Sequence, residues 1–69
     1  MMPVESSNIA EIGHDGDKTL HVLFHGKGGL YSYTPVSVAD FEEFKEAPSI
    51  GGYFHAHIKK NPGITTQRL

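Results

Sequence analysis

Tyr31 and Tyr33 are the residues of this chain best placed to do chemistry together. Side chains two apart on a β-strand point to the same face, so the two phenol rings would sit roughly 6.6 Å apart on one side. Such a pair can stack bases splayed from single-stranded RNA, each stack worth ~1–3 kcal/mol. Lys27, Lys59 and Lys60 are the cations that would neutralise phosphates beside it. The same two rings can instead cover a hydrophobic core with their hydroxyls at its rim. Alternation alone leaves open which face of a sheet the helices cover. A second constellation is Ser49, Gly51, Gly52, Tyr53 and His55. There a capping serine and bare glycine backbone present N–H groups to a small anion or to a protein partner.

The remaining polar groups point to less. His21 and His25 lie on one strand face but roughly 13 Å apart, too far to share a metal. His55 and His57 diverge by about 200° around a helix, unlike the i, i+4 pair of metal-binding helices. We expect no metal site and no cofactor, and we read the histidines as surface groups. Histidine is the side chain whose charge changes between pH 5 and 8, so mildly acidic solution would favour anion binding. No serine lies in a nucleophile-elbow pattern, and His14-Asp15 reads as loop-shaping. Gly26-Lys27-Gly28-Gly29 lacks the Gly-Lys-Ser/Thr ending of a phosphate loop and joins two strands. The chain is not expected to be an enzyme.

These residues must be carried by a small set of elements. Asn8 to Ile12 suits a first strand, with Ala10 and Ile12 on one face and Ile9 on the other. Turn formers at Gly13–Asp17 lead into Lys18–His25, the clearest alternation in the chain. Leu20, Val22 and Phe24 take its core face. The glycine-rich turn then delivers Leu30–Thr34 as a third strand, which Pro35 closes. From Ser37 the period changes to that of a helix. Ser37 caps the first helix, Phe41 and Phe44 pack it on the sheet, and Pro48 ends it. Ser49 caps a second, with Ile50, Phe54 and Ile58 on one stripe. Its Gly51-Gly52 costs about 1 kcal/mol per glycine, which suggests a close approach to a neighbour or a ligand. Asn61-Pro62-Gly63 stops it, and Ile64–Leu69 reads as a mobile tail whose removal should leave folding intact. The predicted fold is α+β: an antiparallel three-stranded meander followed by two C-terminal helices packed on the sheet. It is one domain over residues 1–69, with a core at about 4–60 and a tail at 61–69.

Composition narrows the partners. Sixty-nine residues hold one core, which at this size leaves ~3–5 kcal/mol of net stability. The absence of cysteine removes disulfides and thiolate zinc sites and fits a cytoplasmic protein. No apolar run reaches the roughly 20 residues of a membrane span, so no membrane partner is expected. Six basic residues against eight acidic give a formal charge of −2, which disfavours strong non-specific binding to nucleic acid. Charge is uneven, however: Asp40, Glu42, Glu43 and Glu46 are acidic, whereas Lys59, Lys60 and Arg68 leave a small basic surface near the C-terminus.

A longer pattern runs through these pieces. Ser6-Ser7-Asn8-Ile9, Ile12-Gly13, the Leu20–Phe24 alternation, Gly29 with Tyr31-Ser32-Tyr33, Ala47-Pro48-Ser49, Gly52-Tyr53-Phe54 and Ile58 occur in that order. From about Val4 to Lys60 the chain resembles a KTSC domain, whose mark is a central Tyr-x-Tyr. It departs from the family's usual residues at His55, commonly asparagine, and at Thr34-Pro35-Val36, commonly Val-Pro. The family takes its name from the C-terminal domain of lysyl-tRNA synthetase and includes small stand-alone bacterial and phage proteins. The resemblance implies RNA, as tRNA or single strands, bound through Tyr31, Tyr33, Lys27, Lys59 and Lys60. The alternative is a protein-interaction or small-ligand-sequestering module, working as a homo-oligomer, with Ser49, Gly51, Gly52, Tyr53 and His55 in contact.

Overall fold

The computed structural model describes all residues, Met1–Leu69. Its centre is the predicted meander: β2 (Ile9–His14), β3 (Leu20–Phe24) and β4 (Gly29–Thr34) pair antiparallel in chain order. Two further strands lie outside it, β1 (Met2–Pro3) on β2 and β5 (Thr65–Arg68) on β4, giving a five-stranded sheet in the order β1-β2-β3-β4-β5. The expected three strands are therefore five. The four residues Thr65–Arg68 are exposed and carry no apolar alternation, so the strand's place is set by backbone pairing. The Leu69 N–H donating to the Leu30 carbonyl oxygen at 2.9 Å extends that pairing to the C-terminus. The segment expected as a mobile tail is thus an edge strand. β1 is two residues long, and its Pro3 lies at the sheet edge, where a missing N–H is tolerated.

The first strand differs in one more respect. Ile9 and Ile12 were expected on opposite faces, yet both are fully buried. An irregularity in register between Ile9 and Glu11 inserts a residue and turns both isoleucines inward.

Helix α1 (Val38–Lys45) starts where Ser37 accepts from the Asp40 N–H at 3.0 Å. Helix α2 (Ile50–Tyr53) starts where Ser49 accepts from the Gly52 N–H at 3.1 Å. Each hydroxyl satisfies one of the N–H groups that a helix start leaves without a partner. From Phe54 to Lys59 the second helix continues in π geometry, with i→i+5 hydrogen bonding. No helix is long and apolar enough to cross a membrane.

Both helices pack on the sheet face that carries Ile9, Ile12, Leu20, Val22, Phe24, Tyr31 and Tyr33. Cross-strand pairing fixes that face, since Leu20 opposes Tyr33 and Val22 opposes Tyr31. Phe44, fully buried, comes from α1, and Ile50, Phe54 and Ile58 come from the second helix as their spacing predicts. The other sheet face carries Glu11, His21, Leu23 and Leu30, all partly exposed, and the buried Ser32.

Candidate functional site

The tyrosine pair faces the helices. Tyr33 is 5 % exposed and Tyr31 is half-buried. An uninterrupted chain of edge-to-face contacts runs Tyr31–Phe24–Phe54–Tyr33, with centroid separations of 5.6, 5.6 and 5.3 Å. Each such contact is worth ~0.5–1.5 kcal/mol beyond the area it buries. Burial pushes the Tyr33 phenol up to about 12, with Tyr31 adding to the effect. These rings cover the core, one of the two readings the sequence leaves open, with Tyr33 buried and Tyr31 at its edge. They are the floor of something narrower.

That floor lies under a two-lobed groove between the sheet and the second helix. Phe24, Gly28, Phe54 and Lys59 line both lobes. One lobe, about 410 Å³, is completed by Tyr31, Tyr33 and Thr66 and is mostly aromatic. The other, also about 410 Å³, is completed by Ser7, Asn8, Ile9, His25, Gly51 and His55 and is rich in polar groups. Both volumes fall in the range of small-ligand pockets, ~300–1,000 Å³. No carboxylate lines either lobe.

Local structure explains how these groups meet. Gly28 lies so close to Phe24 that a Cβ there would collide with the phenylalanine Cβ, so the turn can fold over the ring only with glycine. Gly29 has φ +84°, in the left-handed region that favours glycine. Arg68 of β5 opposes Tyr31, and its Nε lies 3.7 Å from where a Gly29 side chain would begin. Arg68 thus lies beside the glycine turn, outside the residues that line the lobe. On the polar side, the His25 ring is held by its Nε2, 3.1 Å from the Ser6 carbonyl oxygen. Gly51, His55 and Lys59 recur every fourth residue and line the same groove.

The two expected constellations are regrouped. Tyr31, Tyr33 and Lys59 from the first come together with Gly51 and His55 from the second. Lys27, in the turn Gly26–Gly28, and Lys60 are exposed and line neither lobe. Ser49 and Gly52 are tied up in the helix cap, and a Cβ on Gly52 would sit 3.0 Å from the Ser49 hydroxyl. The cap itself does not require glycine there, since Asp40 holds the same place against Ser37. Tyr53 lies on the opposite flank, between Phe44 at 5.2 Å and His57 at 4.4 Å. Its hydroxyl donates to the Asp40 carbonyl oxygen at 3.4 Å, and its pKa is raised by partial burial and by the carboxylates of Glu43 and Asp40. Phe24, Phe54, Ser7, Asn8, His25 and Thr66 were not anticipated as site residues. Ser7, Asn8, Phe24 and Phe54 belong to the family pattern, and His25 and Thr66 do not.

Elsewhere the polar groups are structural. His14 Nδ1 accepts from the Gly16 N–H at 3.0 Å, which leaves Nε2 as donor to the Val36 carbonyl oxygen at 2.6 Å. The Asp15 carboxylate accepts from the Asp17 and Thr19 N–H groups, which hold its pKa below the usual value. No three His, Asp or Glu side chains converge as metal ligands would.

A family model described as the KTSC domain matches residues 5–61 of the chain. The chain belongs to the KTSC domain family. The crystal structure of a KTSC domain protein from Yersinia pestis superimposes with a TM-score of 0.85 at 28 % identity, covering 99 % of this chain and 93 % of that one. A search among curated proteins finds no match. The agreement extends through β5, since the coverage reaches beyond the end of the family model to nearly the whole chain.

Proposed function

We propose that this KTSC domain is a small, non-catalytic binding module that takes an anionic ligand, RNA foremost, in the groove beside Lys59. One observation carries the reading: both lobes are lined without a carboxylate in a protein of net charge −2. Acidic residues instead gather on and around α1, where Asp40 and Glu43 border a different recess. The Lys59 ammonium beside an aromatic floor supplies one phosphate contact and one stacking or edge contact. Aromatic rings, two imidazoles and a lysine with no convergent nucleophile and base suit binding more than bond-making.

Fluorescence anisotropy of labelled tRNA and single-stranded RNA at two salt concentrations tests this reading, with Lys59→Gln as the control. Binding that weakens with salt and is lost in a folded Lys59→Gln protein is the expected result. Wild-type protein that binds no RNA at micromolar concentration would refute it.

A second reading has its own observation. β1 and β5 leave both sheet edges open, and open edges can pair with another chain. A second copy of this protein joined through β5 would appear as a dimer in light scattering and would be disrupted by Thr66→Pro.

A further inference from the structure

The groove has room and chemistry for one ring and one anion. Its aromatic lobe is walled by Tyr31, Phe24 and Phe54, and its polar lobe is lined by Ser7, Asn8, His25 and His55. Lys59 lines both, at the junction where a ring and its attached phosphate would meet. Apart from Lys59, no lysine or arginine lines either lobe. Lys27, Lys60 and Arg68 lie outside them, and α1 carries Asp40, Glu42 and Glu43, with Glu46 at its end.

Resting on the RNA reading above, we infer that the groove recognises a single terminal nucleotide of a single-stranded RNA, base in the aromatic lobe and terminal phosphate in the polar lobe. It does not follow a tract. A terminal phosphate monoester carries more charge than an internal diester and can accept from several donors at once. That matches a lobe lined by Ser7, Asn8, His25, His55 and Lys59. The π-helical stretch Phe54–Lys59 agrees with this, because such turns recur at functional sites and this one carries Phe54, His55 and Lys59 into the groove.

Length dependence tests the inference. Single-stranded RNAs of two, four and eight nucleotides, each with a 5′-phosphate, a 3′-phosphate or neither, are titrated with the full chain. The expected outcome is one preferred phosphorylated end, affinity flat from two to eight nucleotides within about threefold, and a slope of log affinity against log salt of about −0.7 to −1.4, that is, one or two phosphates. His55→Gln and Lys59→Gln, both at exposed positions, should bring the phosphorylated dinucleotide down to the affinity of the unphosphorylated one. Affinity that climbs tenfold or more with length, or a much steeper salt slope, would overturn single-nucleotide recognition while leaving RNA binding intact. So would equal binding of phosphorylated and unphosphorylated ends. Failure of every RNA to bind, whatever its length and end, would overturn the RNA reading as well.

Discussion

On one flank of the second helix, Gly51, His55 and Lys59 face a groove lined without carboxylates; on the other, Tyr53 and His57 sit with Asp40 and Glu43. Both flanks combine aromatic rings, histidine and polar groups. They differ in filling and in charge. On the acidic flank Phe44 stacks on Tyr53, which His57 meets at a tilt, and the recess that remains is about 210 Å³. On the groove flank the rings meet edge to face and leave two neighbouring lobes of about 410 Å³ each. One helix therefore packs closely on one side and leaves a groove open along the other. A residue's type says little about which it does; the charge and packing across from it decide.

The comparison breaks most visibly at Phe44. Phe44→Ala empties a fully buried site under the acidic-flank stack and should cost ~3–5 kcal/mol. For a domain this small that equals most of its stability, so the variant should be largely unfolded by circular dichroism. A folded Phe44→Ala protein would mean that this flank does not hold the structure together.

Removal of Ile64–Leu69 comes next. It withdraws β5 from β4, Ile64 from the edge of the core and Thr66 from the groove wall. A loss on the order of 1–2 kcal/mol, or several degrees in Tm, is expected. Unchanged melting would restore the tail to the status its composition suggested.

Each cap contributes less. Ser49→Ala removes the acceptor for the Gly52 N–H and should cost about 1 kcal/mol by urea denaturation. A larger loss of RNA affinity than of stability would assign the Ser49 hydroxyl to the ligand as well as to the helix.

Tyr33 gives an effect confined to alkaline solution. Its phenol pKa is raised from 10.0 to about 12 in the folded protein. Folding therefore favours the neutral ring, a stabilisation fully present below pH 10 and lost as pH rises towards 12. Tyr33→Phe should remove much of that alkaline decline in urea denaturation and change little at pH 7. An unchanged decline would show that Tyr33 is not held in the aromatic floor.

Particular residues show how far the chain could be read in advance. Leu20, Val22 and Phe24, the capping serines, and the Ile50–Phe54–Ile58 stripe each follow one local rule, and all stand where that rule puts them. Ile9 fails because a one-residue irregularity in register resets the alternation, and nothing in Asn8–Ile12 marks it. Thr65–Arg68 fails because an exposed edge strand has no apolar side chains to announce it. The groove was legible only in fragments. Tyr31, Tyr33, Lys59, Gly51 and His55 were singled out, but in two separate groups, because their junction depends on Phe24 and Phe54 meeting across 30 residues of chain. Such a long-range contact leaves no trace in local spacing.

Lys59→Gln should have the smallest effect on folding, within about ±0.5 kcal/mol, since Lys59 is exposed and makes no ion pair. Its binding defect is where the two flanks separate. The most direct measurement is a map of backbone amide shifts when a phosphorylated dinucleotide is added to the labelled protein. Shifts clustered at Ser7, His25, Gly28, Gly51, His55, Lys59 and Thr66, with Asp40, Glu43 and Asn61 still, are the result expected of an open groove. Shifts centred on α1 or on Glu11, His21 and Leu23 of the other sheet face, or none at all, would contradict it.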